Sequence, residues 1–253
     1  MRIEYTGTFQ LVGTYDGKIS GIRVLNSNRV KVINCEISKF NYTGLLISAE
    51  ENSAYCENVI VEKCYLHHNR VAGIYFGNTE KFVVEECLIT YNGVEGDSTT
   101  GYGIAGMSTH YPKNTLIFNN DVSNNVRKGI DFHSGYNSSI IANKVVANGI
   151  YGIFHESIKQ LGKCAIKNNV ISGMIIDGTK TGFTVGYCIW FGSAYAETTN
   201  TKTFFDVSDN YIVANDVVNG GQIFPLNAEL DNLFNCTATI KNNTIIGNNA
   251  TAA

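Results

Sequence analysis

The sequence predicts an all-β protein, a single-stranded right-handed parallel β-helix of about eight to nine coils. Three observations support this prediction: a motif that recurs along the chain, a variable spacing between its copies, and a composition rich in turn-forming residues. We expect one domain over residues 1–253, because each repeat of a solenoid contacts only its neighbours. Residues 1–20 are expected to form the first coil or an N-terminal cap. Residues 248–253 are expected to form a tail, such as a truncated chain would have.

The recurring unit reads Val/Ile-x-x-[Cys/Asn]-x-[Ile/Val/Leu], and its fourth residue is termed here the ladder position. The ladder positions are Cys35, Cys64, Cys87, Asn120, Asn143, Asn169, Asn210 and Asn243. They are 29, 23, 33, 23, 26, 41 and 33 residues apart. A shortest spacing of 23 residues, lengthened by inserts, indicates one structural turn per repeat with loops of free length. We expect the ladder Asn side chains to stack and to satisfy buried backbone groups.

The composition agrees with a turn-rich solenoid. The chain has 30 Asn and 25 Gly but only 2 Pro, and Asn and Gly both tolerate left-handed backbone. A helical fold is disfavoured because there is no sustained 3.6-residue period and Asn is a poor helix former. Polar turns are expected at Asn41, Asn69, Asn92, Asn125 and Asn148. The ladder cysteines are expected to be reduced packing residues, since no second close pair of thiols suggests a metal site.

Charge and hydrophobicity exclude two classes of partner. A net charge of -3 and a pI near 6.0 argue against a nucleic-acid partner, which requires a basic face. No apolar stretch approaches the roughly 18 residues of a membrane span. The first residues lack the apolar core of a signal peptide.

Each repeat also carries a Gly followed by an apolar residue. These glycines are Gly44, Gly73, Gly103, Gly129 and Gly152, and in four of the five repeats the Gly lies nine residues after the ladder position. The long inserts fall on either side of the strand that follows, at about 48–57, 94–100, 107–113, 173–185 and 193–203. Because binding groups often lie on such loops, this strand column is predicted to form the functional face.

The repeats resemble those of the pectate-lyase-like superfamily of β-helices and its sugar-hydrolysis repeat group, over residues 20 to 247. The resemblance implies that the strand after the Gly floors a substrate groove and that the adjoining turns form its walls. It also implies that the ligand is a polysaccharide and that the protein is extracellular or lies on a virion or cell surface.

One polar cluster interrupts the apolar and small residues that point outward from these strands. When the strands are aligned on the Gly, Asp131, His133 and Glu156 all point outward in two adjacent coils. His133 and Glu156 are expected to be direct neighbours on stacked strands, with Asp131 and Glu156 diagonal to one another. Further polar residues expected near this cluster are Arg127, Lys128 and Tyr151.

The segment Gly129-Ile130-Asp131-Phe132-His133 resembles the Tyr-Gly-Phe-Asp-Pro-His-Glu motif of alginate C5-epimerases. Carried over by position, Asp131 and His133 match the functional Asp and His, whereas Lys128 replaces the Tyr and Phe132 the Pro. The Glu of the motif is replaced by Ser134. The next coil, Tyr151 to Glu156, restores the Tyr and the His-Glu pair but lacks the Asp.

Three chemistries fit this cluster. A His or Tyr base removes the C5 proton of a uronic acid while Arg127 or Lys128 neutralises its carboxylate, as in a lyase or epimerase. Alternatively, Asp131 and Glu156 serve as acid and base of a glycoside hydrolase. In the third, the carboxylates hold Ca²⁺, for which His133 is a poor ligand.

Other residues are candidates for substrate binding. Tyr75 and Trp190 are aromatic side chains suited to stacking on sugar rings, and His110 is on a loop that would overhang the groove. Lys128 is a candidate for the substrate carboxylate. His155 is also a candidate, although it falls at an inward position next to Phe132, where a core histidine is expected.

The preferred hypothesis is β-elimination or C5 epimerisation of a uronic-acid polymer. The candidate catalytic residues are Asp131, His133, Glu156, Arg127 and Tyr151. Hydrolysis by Asp131 and Glu156 is the next hypothesis. No cofactor is expected apart from Ca²⁺ in the third chemistry. An alternative from another class is a phage tailspike or adhesin that binds surface glycan. A tailspike would be a homotrimer, whereas a free enzyme would be a monomer. A non-catalytic periplasmic β-helix is a third reading, disfavoured by the lack of a Met/His/Cys cluster.

Overall fold

The computed structural model is a right-handed parallel β-helix built from three long parallel sheets. It describes residues 2–4, 18–49, 55–97, 99–106, 111–133, 135–156, 162–174, 185–192, 203–214, 222–229 and 236–247. All regular elements within these ranges are strands. None of the described residues belongs to a helix long and apolar enough to cross a membrane.

Sheet 1 contains the strands that follow the repeated Gly positions. Its eight strands are β2 (Ile22–Leu25), β5 (Thr43–Ser48), β9 (Ala72–Gly77), β13 (Tyr102–Gly106), β16 (Lys128–His133), β19 (Tyr151–Glu156), β22 (Val185–Gly192) and β25 (Gln222–Glu229). They stack in chain order, each pairing in parallel with the next. The predicted groove floor is therefore one continuous sheet.

Sheets 2 and 3 complete each coil. Sheet 2 consists of β3 (Lys31–Ile33), β7 (Ile60–Glu62), β11 (Val83–Glu85), β14 (Leu116–Phe118), β17 (Ser138–Ile141), β20 (Gly162–Lys167), β23 (Thr203–Ser208) and β26 (Thr237–Lys241). Sheet 3 consists of β1 (Arg2–Glu4), β4 (Glu36–Ser38), β8 (Tyr65–His67), β12 (Leu88–Thr90), β15 (Asp121–Ser123), β18 (Lys144–Val146), β21 (Val170–Ser172), β24 (Tyr211–Ala214) and β27 (Thr244–Gly247). A separate short pair joins β6 (Cys56–Glu57) to β10 (Thr79–Glu80). Eight or nine strands per long sheet agree with the predicted number of coils.

The ladder between sheets 2 and 3 has the predicted form. The backbone N–H of Asn120 donates to Asn143 Oδ1 at 3.0 Å, and its side-chain amide donates to the same oxygen at 2.9 Å. That amide also reaches the carbonyl of Val84 at 3.0 Å, and the pattern repeats through Asn210. Each Asn thus satisfies backbone groups that are buried between coils.

The ladder cysteines are free and buried, as predicted. Cys87 joins the Asn ladder through its backbone N–H, which donates to Asn120 Oδ1 at 2.9 Å. Cys64 in turn donates its N–H to the sulfur of Cys87 at 3.4 Å. The thiols therefore continue the stack as packing residues.

A second ladder runs between sheets 3 and 1, where the sequence predicted only polar turns. Asn69, Asn92, Asn125 and Asn148 are buried, and each of the first three donates to the next, as in the 3.0 Å bond from Asn69 Nδ2 to Asn92 Oδ1. Asn41 lies in a bend, as predicted, but it is not part of this ladder. Phe40 takes the equivalent place, since its N–H donates to Asn69 Oδ1 at 3.2 Å.

The repeated Gly is required by close packing against this second ladder. A Cβ on Gly129 would lie 2.7 Å from the carbonyl oxygen of Gly152 and 2.8 Å from Asn148 Nδ2. The left-handed turns are instead formed largely by non-glycine residues, among them Asn34 (φ 53°) and Asn119 (φ 52°). Asn therefore serves the turns and both ladders, which explains its abundance.

The interior between the sheets is apolar and aromatic. Phe76, Phe132, Phe191 and Phe205 are fully buried, with the rings of Phe76 and Phe132 5.5 Å apart. After the repeated Gly, inward side chains alternate with outward ones along the strands of sheet 1, as Ile130 and Phe132 do with Asp131 and His133. This alternation fixes which residues face the predicted groove.

Candidate functional site

Two adjacent strands of sheet 1, β16 and β19, carry the candidate site. Their register pairs Asp131 with Phe154 and His133 with Glu156, as the sequence predicted. Ile130 and Phe132 point into the core between the outward residues and are fully buried. The core packing therefore holds Asp131 and His133 on one face of the same strand.

The His133 side chain bridges two carboxylates. Its Nε2 lies 3.0 Å from Asp131 Oδ1, and its Nδ1 lies 2.7 Å from Glu156 Oε2. Asp131 and Glu156 are almost fully buried, with 5% and 3% of their side chains exposed, whereas His133 is 21% exposed. Because carboxylates accept and do not donate, this geometry favours an imidazolium that donates from both nitrogens.

Lys128 neutralises the same aspartate. Its Nζ lies 3.0 Å from Asp131 Oδ1, and its side chain is only 7% exposed. Aromatic rings surround the ammonium group, with its Nζ 3.9 Å from the ring centroid of Phe154, 5.0 Å from that of Tyr151 and 5.8 Å from that of Tyr102. Burial lowers the pKa of Lys128, and the charge of Asp131 opposes that effect. Cation–π contacts and one buried counter-ion thus hold this lysine in the sheet face.

The charges of the cluster shift two pKa values in opposite directions. Burial alone would raise the pKa of Asp131, but Lys128 and His133 outweigh it and bring that pKa to about 2. Burial alone would lower the pKa of His133, but Asp131 and Glu156 outweigh it and bring that pKa to about 9. At neutral pH, Asp131 is therefore a carboxylate and His133 an imidazolium.

Arg127 lies at the start of the same strand and contacts Tyr102 of the preceding coil. A guanidinium N–H of Arg127 donates to the Tyr102 hydroxyl. The guanidinium carbon also lies 5.5 Å from the centroid of the Tyr102 ring. Burial and the charge of Asp131 raise the pKa of Tyr102 to about 12. Phe154 was not among the predicted site residues, although its register beside Asp131 was readable from the Gly alignment.

Aromatic side chains continue the outer face toward the C-terminal coils. Tyr151 stacks on Tyr187, and Tyr187 on Phe224, each pair with ring centroids 5.5 Å apart. Trp190 lies flat on Phe154 at 4.3 Å and is 6% exposed. One face of the indole is thus already covered by protein, which limits its use for stacking on a sugar.

The remaining predicted binding residues have different positions. Tyr75 is half-buried on the outer face, two coils before Asp131 in the same column, and its ring meets that of Tyr42 edge-on at 6.0 Å. His110 lies outside the described residues.

The substrate-binding prediction for His155 is corrected by the structure. Its ring is 0% exposed, points into the core and stacks on Phe132 at 4.9 Å. Its Nε2 lies 2.6 Å from Ser138 Oγ, and burial lowers its pKa to about 3. A neutral core imidazole in this position has no access to a ligand on the outer face.

The carboxylates do not fit the Ca²⁺ site that the sequence allowed. Asp131 Oδ1 and Glu156 Oε2 are separated by the imidazole of His133 rather than converging on one point. Over the described ranges, no group of three or more His, Cys, Asp or Glu residues is arranged to hold a metal ion. Glu156 Oε1 is buried and has no hydrogen-bond donor among the described residues.

A shallow cavity of about 520 Å³ lies elsewhere, on sheet 2, and is lined in part by Lys163, Phe204 and Asp206. It does not include Asp131, His133 or Glu156. The candidate site is therefore defined by its side-chain chemistry rather than by this cavity.

Comparison with known proteins identifies the fold. The model of a family described as "Right handed beta helix region" matches residues 20–189. A search of curated proteins found no match. Among solved structures, the pectate lyase Pel9A is similar with a TM-score of 0.53 and 16% identity, covering 88% of this chain and 55% of that one. The chain thus spans about half the length of that enzyme, and the likeness shows the fold alone.

A second solved structure is PfbA, a surface adhesin of Streptococcus pneumoniae. It matches with a TM-score of 0.36 and 12% identity, covering 87% of this chain and 46% of that one. A likeness at this level carries no argument about function.

Proposed function

The chain belongs to the right-handed β-helix family, and on that premise we propose that it processes a uronic-acid-containing polysaccharide by β-elimination or C5 epimerisation. The polymer would lie on the outer face of sheet 1 over residues 127 to 156. The observation that carries the proposal is the His133 imidazole held between Asp131 and Glu156 on that face.

Both reactions begin with removal of the proton at C5, next to the carboxylate of the sugar. We assign this step to His133 in its neutral form, with the bound sugar taking the place of Asp131 at Nε2 while Glu156 keeps its contact with Nδ1. Two flanking carboxylates raise the pKa of His133 to about 9, so the neutral imidazole is a stronger base than an ordinary histidine. Glu156 orients the ring through its contact with Nδ1.

The negative charge that develops on the substrate carboxylate needs a cation nearby. Arg127 and Lys128 are the candidates because Lys128 begins the strand that carries Asp131 and His133, and Arg127 directly precedes it. In the free protein Lys128 is paired with Asp131, so a bound uronate would compete for this ammonium group. Tyr151, whose pKa burial raises, stays protonated at neutral pH and would donate a proton to the leaving oxygen or to the opposite face of the ring.

Hydrolysis is less well supported. A glycoside hydrolase needs one carboxylic acid that remains protonated at working pH. Asp131 does not meet this need because its pKa is about 2. Only Glu156 would remain for that role, and one of its oxygens already accepts from His133.

A screen of uronic-acid polymers with three readouts tests the proposal. Elimination gives ultraviolet absorbance from the unsaturated product together with new reducing ends. Epimerisation gives uptake of solvent deuterium at C5 without new ends. New ends without absorbance would instead mean hydrolysis and would refute the proposal. Asp121→Asn is the matched control, because Asp121 lies on sheet 3 and pairs with Lys144 there.

A second candidate function is glycan binding without turnover. It is favoured by the mutual neutralisation within the cluster, where Lys128 and His133 pair with Asp131 and His133 also pairs with Glu156. Retained binding of a polymer in the screen, with none of the three products, would support this candidate. In that case the cluster orders the binding face rather than reacting.

A further inference from the structure

We propose that His67 and His68 form a binding site for a divalent transition metal ion of the zinc, copper or nickel class. His67 ends β8 on sheet 3 and His68 directly follows it, away from the cluster on sheet 1. Their Nδ1 atoms are 2.7 Å apart and share a hydrogen bond, in which one ring donates and the other accepts, and a metal ion would take the place of the shared proton. The proposal is independent of the proposed function.

The backbone at this turn brings the rings together. His68 has a left-handed conformation with φ 54°, which turns its side chain back toward that of the preceding residue. The ring planes are nearly perpendicular, at 84°, and their centroids are 5.0 Å apart. Two nitrogens bound to one metal at about 2.0–2.1 Å lie about 2.9–3.4 Å from one another in common geometries. The pair therefore needs to open by about 0.2–0.7 Å from its 2.7 Å separation, with a small turn of the rings, to hold an ion.

Neighbouring residues orient both rings. The other nitrogen of His67, Nε2, lies 3.4 Å from Glu36 Oε1 on the adjacent strand β4. A carboxylate on the far nitrogen is the usual second-shell partner of a metal-binding histidine. Tyr65 stacks on His67 at 4.0 Å, and Tyr91 stacks on His68 at 5.4 Å. The orientation of the donors is thus set before any ion arrives.

The donor set determines the class of ion. Imidazole nitrogen suits Zn²⁺, Cu²⁺ and Ni²⁺, whereas Ca²⁺ and Mg²⁺ prefer oxygen ligands. No third His, Cys, Asp or Glu of the described residues completes a metal-binding group. Water or a ligand from solution would fill the remaining positions. Because His68 is exposed, such an open site lies at the protein surface.

Titration of the metal-free protein with Cu²⁺, followed by calorimetry and electron paramagnetic resonance, tests the proposal. We expect one bound ion with hyperfine coupling to two nitrogens, and its apparent affinity should fall in excess Zn²⁺ but not in excess Ca²⁺. The test variant is His68→Asn, which removes the imidazole while keeping a residue that tolerates left-handed backbone. It should bind Cu²⁺ at least tenfold more weakly and lose the two-nitrogen signal.

Two further variants separate this site from others. Glu36→Gln should weaken binding about tenfold while keeping both nitrogens on the ion, as expected of a residue that acts through His67. His133→Gln, which changes a histidine on the other sheet, should bind as the wild type does. The proposal is overturned if the wild type binds no Cu²⁺, or if His68→Asn retains its affinity and spectrum.

Discussion

The Nδ1 atom of His133 lies 2.7 Å from Oε2 of Glu156, a residue 23 positions further along the chain. This spacing equals the shortest repeat, so the contact joins equivalent positions of two successive coils. The ion pair is therefore a product of the repeat itself. A change in the stacking of β16 on β19 would alter the site as directly as a change in its side chains.

The titration of His133 is the first prediction. Nuclear magnetic resonance of the ring should give a pKa of about 9, since Asp131 and Glu156 favour the charged form. Asp131→Asn should lower that pKa, because it removes the main charge that opposes the effect of burial. An unchanged pKa in Asp131→Asn would contradict the assigned charges of the cluster.

The second prediction concerns stability and pH. The folded pKa of His133, about 9, exceeds its ordinary value of 6.5, so its stabilising contribution is complete below pH 6.5 and is lost as pH rises through 9. Asp131 has a lowered pKa, and its contribution is lost only as pH falls from 3.8 toward 2. In urea denaturation, the wild type should have a higher free energy of unfolding than His133→Gln, and this difference should decrease between pH 6.5 and 9. A constant difference across that interval would count against the ion pairs.

The third prediction tests the ladder. In Asn143→Ala, the N–H and the side-chain amide of Asn120 lose the Oδ1 acceptor they share. Leaving such groups buried and unpaired should lower the free energy of unfolding by about 2–4 kcal/mol. Chemical denaturation measures this loss. The control is Asn227→Ala, a partly exposed position on β25, where we expect a change within about 0.5 kcal/mol. Equal effects at the two positions would argue against the ladder as a source of stability.

The fourth prediction concerns the repeated Gly. In Gly129→Ala the new Cβ would contact the carbonyl oxygen of Gly152 at 2.7 Å, so β16 and β19 must separate. The free energy of unfolding should fall by about 1–3 kcal/mol. The pKa of His133 should also fall, because its contact with Glu156 lengthens. Gly247→Ala is the control, since a Cβ there meets nothing within 4 Å. Thermal denaturation and the His133 titration together measure both effects.

The sequence predicted the coil register because the ladder residues and the Gly recur at fixed offsets. That register was sufficient to pair His133 with Glu156 and to assign the cysteines to packing. The second Asn ladder was not predicted, because Asn is common both in exposed turns and in buried ladders. Only the burial of the side chain distinguishes a ladder residue from a turn residue. The enclosure of Lys128 by Tyr102 and Phe154 was not predicted, because strict alternation would place Lys128 on the face opposite to Asp131, whereas it lies on the same face.

The most direct test of the central claim is the initial rate of C5-proton removal from a uronic-acid polymer, measured against pH. Product absorbance and uptake of solvent deuterium report this rate for elimination and epimerisation respectively. If neutral His133 is the base, the wild-type rate should rise with pH and level off near 9. His133→Gln should lose at least about 100-fold in rate, while Asp121→Asn keeps the wild-type rate. A folded His133→Gln protein with the rate and pH profile of the wild type would contradict the account.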